Sequence, residues 1–168
     1  MKKMFLLALA AISLSTLSMA QGSPAKTATG SINGANITIS YSSPSVKGRP
    51  IWGGLVPYDK VWRAGANMAT VIETDKALKV EGKDLPAGKY SIYALPGADE
   101  WTIIFNSATG QWGITRQGET TLDAAKDVIR VKVKPVKVDA LQEALSYDID
   151  ASGFALRWEH LKVPVKIK

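Results

Sequence analysis

The chain has 168 residues, with 21 Lys and Arg against 15 Asp and Glu, one His and no Cys. That length suits one domain with a self-sufficient core, and a surplus of +6 is too small for a protein that coats nucleic acid. The missing Cys and the single His exclude thiol catalysis, disulfides, thiolate zinc centres and multi-histidine metal sites, so no metal or cofactor is expected.

Residues 1–20 (MKKMFLLALAAISLSTLSMA) carry Lys2 and Lys3, an apolar run from Phe5 to Leu14, and small residues at Ser18 and Ala20. This is the layout of a secretory signal peptide, with cleavage expected between Ala20 and Gln21. The run is shorter than the roughly 20 residues that cross a bilayer, so no transmembrane segment is expected. Loss of Lys2 and Lys3 would lower the surplus from +6 to +4. The mature protein is expected to be exported, periplasmic or extracellular. Residues 21–29 (QGSPAKTAT) read as a flexible spacer, and 30–168 as a single domain.

From there period-2 alternation dominates, giving each strand one apolar face and one wet face, as an antiparallel sheet needs. Ile37, Ile39 and Tyr41 form one face after an Asn33-Gly34 hairpin signal. Tyr90, Ile92 and Ala94 alternate with Lys89, Ser91 and Tyr93; Trp101, Ile103 and Phe105 share a face; Ile129, Val131 and Val133 alternate with Arg130, Lys132 and Lys134. Phe154, Leu156 and Trp158 line up, and so do Val163, Val165 and Ile167. His160 is expected to continue the face of Trp158. Glu81-Gly82, Pro86-Ala87-Gly88, Pro96-Gly97 and Ser152-Gly153 supply turns. The best helical candidate is 139–145 (DALQEAL), with 121–127 a weaker one. The expected fold is all-β: an antiparallel β-sandwich of about nine strands, Greek-key or jelly-roll-like.

Two stretches lack alternation: 42–67 (SSPSVKGRPIWGGLVPYDKVWRAGAN) and 106–121 (NSATGQWGITRQGETT). The first is a long irregular loop, and such loops inside compact domains often carry function. It holds Lys47, Arg49, Lys60 and Arg63 against the single acid Asp59, together with Trp52, Tyr58 and Trp62.

The strings YSSPSVKGRPIWGGLVPYDKVWRAGAN, DLPAGKYSIYALPG, EWTIIFN, QWG and DVIRVKVKP, in this order behind a leader, resemble the domain of unknown function 2911 family of exported bacterial proteins. The resemblance spans roughly residues 36–165. It implies an exported, single-domain, mainly β protein and brings no activity with it. In that family an acidic residue often follows the GAN run, where this chain has Met68.

Arg forks match carboxylate, sulfate or phosphate, and Trp and Tyr faces stack on sugars or planar groups. Arg49, Trp52, Tyr58, Trp62, Arg63 and Asn67 are therefore candidate ligand-binding residues, joined by Trp112 and Arg116 if the second irregular stretch meets the first. The structural alternative is that Trp52 and Trp62 plug the sandwich while the arginines bond loop carbonyls. Asp148, Asp150, Ser152, Gly153 and Glu159 have calcium-loop spacing, but the alternation of 154–158 favours a hairpin turn. Arg130, Lys132, Lys134 and Lys137 read as a charged guard on a strand.

The leading expectation is a non-catalytic binding module for a small or glycan-like anionic ligand. One alternative is a metal-free hydrolase or isomerase using Arg63 and Asn67 with a carboxylate such as Asp59 or Glu73. Another is an envelope structural or assembly factor with a protein partner. Carboxylates converging on Arg63 in a concavity would favour the enzyme. An aromatic platform would favour the binder, and a long uncovered strand edge the assembly factor.

Overall fold

The structure, a computed structural model, describes residues 22–168; the leader and its cleavage site lie outside the described residues. Ten strands follow in order: β1 (Ala25–Ile32), β2 (Ala35–Ser42), β3 (Thr70–Thr74), β4 (Leu78–Val80), β5 (Lys83–Leu85), β6 (Gly88–Leu95), β7 (Trp101–Asn106), β8 (Asp127–Val133), β9 (Val136–Asp150) and β10 (Gly153–Lys166). One sheet runs β1-β2-β3-β6-β7-β8, with every neighbouring pair antiparallel. The long β9–β10 hairpin and the short β4–β5 hairpin make the facing layer. Lys79 and Lys168 exchange backbone hydrogen bonds of 3.0 and 2.9 Å, which sets β4 beside the tail of β10. At the other margin, Val46 N donates to Glu143 O and Leu145 N to Pro44 O, so residues 44–46 lean on β9. The fold is an all-β antiparallel sandwich.

The alternation explains the core. At the Asn33-Gly34 turn both residues take positive φ, 50° and 77°, and Ile32 pairs with Ala35 across it. That register turns Ile37, Ile39 and Tyr41 inward, to meet Ile72 and Ile92 of their own sheet and Leu145, Leu156 and Val163 of the other layer in one buried cluster. The cationic guard behaves as a solvated face: Arg130 pairs with Asp127 at 2.6 Å and Lys132 with Glu100 at 2.7 Å.

Four expectations are corrected. The spacer ends early, because β1 begins at Ala25, opposite Ser42. Residues 139–145 are strand, not helix: Lys137 pairs with Leu161 and Gln142 with Glu159. One or two turns of helical pattern cannot compete with a ladder to a neighbouring strand. His160 is exposed and leaves the face of Trp158. Register shifts on both sides of Glu159, whose φ is 55°, break the alternation, so that the inward positions pass from even-numbered Trp158 to odd-numbered Val163 and Val165. Finally, the outer face of β6 and β7 is not wet throughout. Ser91, Tyr93 and Ile104 are fully buried, and Ala69 and Leu122 pack with Tyr93 and Ile104 in a second small core.

The weaker helical candidate holds a single 3-10 turn, Ala124–Lys126, capped by the Asp123 carboxylate. The Asp150 carboxylate accepts from Ser152 N at 2.8 Å and from Ser152 Oγ at 2.5 Å, while Asp148 pairs with Arg157. The 148–159 stretch is a hairpin turn.

Candidate functional site

The irregular stretch 42–67 is tied down at many points. Leu55 N and Val56 N donate back to Pro50 O and Ile51 O, closing a tight knuckle. Asp59 N donates to Pro96 O, and Trp62 and Ala94 exchange backbone hydrogen bonds at 2.7 and 2.8 Å. Trp62 thus sits beside β6 just past Ile92, the partner of the first residue of β3. Beyond it, the Ala64 carbonyl accepts from the buried Tyr147 hydroxyl at 2.7 Å and from Thr70 Oγ1 at 2.9 Å. Asn67 Nδ2 donates to Ser23 O and Ser42 Oγ, which fastens the start of the described chain to the loop. Four non-glycine residues here take positive φ: Lys47, Asp59, Ala64 and Asn67. Each such conformation costs about 1–2 kcal/mol and persists because the surrounding bonds over-determine it.

The two loop tryptophans close the core. Trp52 stands edge-on to Trp101 at 4.9 Å, to Trp158 at 5.7 Å and to Trp62 at 5.9 Å, and Trp62 stacks on Trp158 at 6.0 Å. Such pairs contribute roughly 0.5–1.5 kcal/mol each beyond area burial. Trp62 Nε1 donates to Gly65 O at 3.1 Å. Both rings are half-buried in this cluster. Tyr58 is exposed and shares with Trp52 a separate cavity of about 670 Å³ near Asp99 and His160.

The two irregular stretches do meet. Arg63 Nη1 donates to Trp112 O at 3.1 Å, and the guanidinium lies 5.8 Å from the Trp112 ring centroid. Contact is close enough that a Cβ on Gly113 would sit 2.7 Å from Arg63 Cβ, and the φ of Gly113 is +90°. Gln111 Nε2 anchors the second loop to Ser91 Oγ and Tyr93 OH. Asn106, wholly buried, holds its base by donating to Asp123 O and Asp127 Oδ1. Arg116 stands exposed on the turn beyond.

Between the loops lies a cleft of about 590 Å³. Arg49, Lys60 and Arg63 line it, with Trp62 and Trp158 at its inner wall and Leu55 and Ile114 among its apolar sides. Arg49 is held by two carbonyls, Nε to Val46 O at 3.1 Å and Nη2 to Ser45 O at 2.5 Å. Lys79, Lys89, Lys126, Arg130, Lys132 and Arg157 each reach a carboxylate. Among the described residues, Arg49, Lys60 and Arg63 have no carboxylate within 4.0 Å. Burial lowers the Arg63 pKa from its ordinary value, with Tyr93 acting the other way. The cleft therefore carries three cations against one carboxylate, Glu119, with the Arg63 guanidinium partly buried.

Of the candidates, Arg49, Trp62 and Arg63 line this cleft, with Trp112 against its edge through Arg63. Trp52 and Tyr58 belong to the other cavity, and Asn67 is spent on Ser23 O and Ser42 Oγ. Neither Asp59 nor Glu73 lines the cleft; Glu73 faces Lys89 at 3.7 Å on the outer sheet. Sequence reasoning missed Leu55, Ile114 and Glu119 as lining residues and Gln111 and Tyr147 as supports. The Gln111-Trp112-Gly113 run was the only local signal for that second wall.

The family model described as "Protein of unknown function (DUF2911)" matches residues 23–167. Comparison with curated proteins and with solved structures finds no match.

Proposed function

Because the chain belongs to this family of unknown function, we propose a reading from the site itself: an exported, non-catalytic binding module for a small anionic molecule. The cleft between 42–67 and 114–120 is the binding site. One observation carries this: Arg49, Lys60 and Arg63 line one concavity against a single acid, Glu119, and among the described residues none of the three has a carboxylate within 4.0 Å. A charge-assisted bond from a partly buried guanidinium to an anion is stronger than one made in open water. The export half of the reading is supported by the leader pattern of residues 1–20.

The enzyme alternative draws no support from Asp59 or Glu73. The two carboxyls whose pKa is lowered, Asp75 and Asp150, are held by Asn36 and Ser152 in turns and do not line the cleft.

The test is a titration of organic and inorganic anions against intrinsic fluorescence, on the mature protein and on Arg63→Gln. Saturable binding that Arg63→Gln weakens about tenfold or more, equivalent to about 1.4 kcal/mol, is expected. Equal binding to the variant, or no anion bound at millimolar concentration, would end the proposal.

A further inference from the structure

Resting on that reading, we infer that the ligand is a free amphiphilic anion: an apolar aliphatic or aromatic body ending in a carboxylate, sulfate or phosphate. The cleft is built for both halves. Its cations are Arg49, Lys60 and Arg63, whereas Val56, Val61 and Ile114 with the Trp62 and Trp158 indoles supply apolar wall.

Size excludes the simplest occupant. A volume of about 590 Å³ is that of a pocket for a whole small organic molecule. An inorganic anion would leave most of the apolar wall wet and forfeit the burial of that surface.

Chemistry disfavours a sugar. Ring hydroxyls need acceptors as well as donors, and a hydroxyl buried without a partner loses its hydrogen bonds to water with no replacement. Glu119 is the one carboxylate lining the cleft among the described residues, and no Asn or Gln lines it. Aromatic stacking is restricted as well: one face of Trp62 is taken by Trp158, and the Arg63 guanidinium lies over the exposed Trp112.

Geometry favours a single molecule over a membrane. Residues of 44–66 and 114–120 both line the cleft, so its contents are held between two loops and not presented on a flat face.

The experiment uses the full mature protein and three probes: anilinonaphthalene sulfonate, which has an apolar body and an anionic end; N-phenylnaphthylamine, a similar body without charge; and inorganic sulfate. Trp62 and Trp158 at the wall report binding by energy transfer to the naphthalene. The sulfonate should bind saturably with the near-ultraviolet circular dichroism unchanged. Arg63→Gln should weaken it about tenfold, and Leu55→Ser, at a wall position that is 49% exposed and so not needed for the fold, about fivefold. The uncharged probe should bind at least tenfold more weakly.

Sulfate or a sulfated sugar binding with the sulfonate excluded would overturn the amphiphile and leave the anion site standing. Equal binding of both naphthalene probes, indifferent to Arg63→Gln, would overturn the anion site as well. Co-sedimentation of the protein with phosphatidylglycerol vesicles would make the occupant a membrane and also overturn the inference.

Discussion

Arg63 and Trp112, 49 positions apart in the chain, are bound twice over: Nη1 of the arginine donates to the tryptophan's carbonyl, and its guanidinium lies against the tryptophan's ring. This pair joins the two irregular segments and makes the cleft a shared product of both. Arg63 is left with donors to spare and no carboxylate, which is why its removal should harm binding more than folding.

The energetic consequence is measurable. Arg63→Ala should cost about 1–2 kcal/mol of stability, one hydrogen bond and one partly exposed cation–π contact. A melting temperature lowered by a few degrees is expected in differential scanning calorimetry. A loss of about 4 kcal/mol or more would make Arg63 scaffold.

Gly113→Ala tests the junction from the other side. The new methyl meets Arg63 Cβ at 2.7 Å, on a backbone with φ of +90°. It should destabilise by about 2 kcal/mol and raise the mobility of Trp112, seen as lower fluorescence anisotropy. A control is Gly118→Ala, where φ is +85° but nothing lies within 4 Å: it should cost only the backbone strain and leave Trp112 unchanged.

Alkaline stability should depend on Tyr147. Burial raises its phenol pKa above the ordinary value, and its hydroxyl supports the Ala64 carbonyl. Below about pH 10 the tyrosine is neutral in both folded and unfolded chains; above it the unfolded chain releases a proton that the folded chain retains. Stability is therefore intact below pH 10 and falls above it, by up to about 1.4 kcal/mol per pH unit. Tyr147→Phe should cost about 1 kcal/mol at neutral pH, since Thr70 still donates to Ala64 O. Denaturant melts at pH 9 and 11 should show a smaller alkaline loss in the variant; identical losses would refute the assignment.

Calcium should do nothing to the fold. Asp150 is occupied by Ser152 and Asp148 by Arg157, and among the described residues no group of three His, Asp or Glu could hold an ion. Thermal melts with chelator and with added calcium should superimpose; a rise of several degrees with calcium would revive the 148–159 loop.

Intact-mass measurement on the protein from its native host should find a chain beginning at or near Gln21. A mass that still includes residues 1–20 would defeat the leader assignment.

Much of this protein is determined by its sequence alone. Alternation at Ile37, Ile39 and Tyr41, or at Ile129, Val131 and Val133, specifies a strand and its inward face, because successive side chains on a pleated backbone point to opposite sides whatever the partner. Even the break in alternation at Glu159 is present in the residues, since Phe154, Leu156 and Trp158 fall on even positions and Val163, Val165 and Ile167 on odd ones. Tertiary structure alone decided the remainder. Residues 139–145 became strand because β10 was there to pair with, and Tyr93 was buried because the Gln111–Trp112 loop folded over it. The same holds for the aromatic residues of the site. Nothing local distinguishes Trp62, spent on stacking against Trp158, from Trp112, left at the surface under Arg63. Indole packing and charge pairing are set by which distant segments meet, and the order of residues along an irregular loop does not encode that meeting.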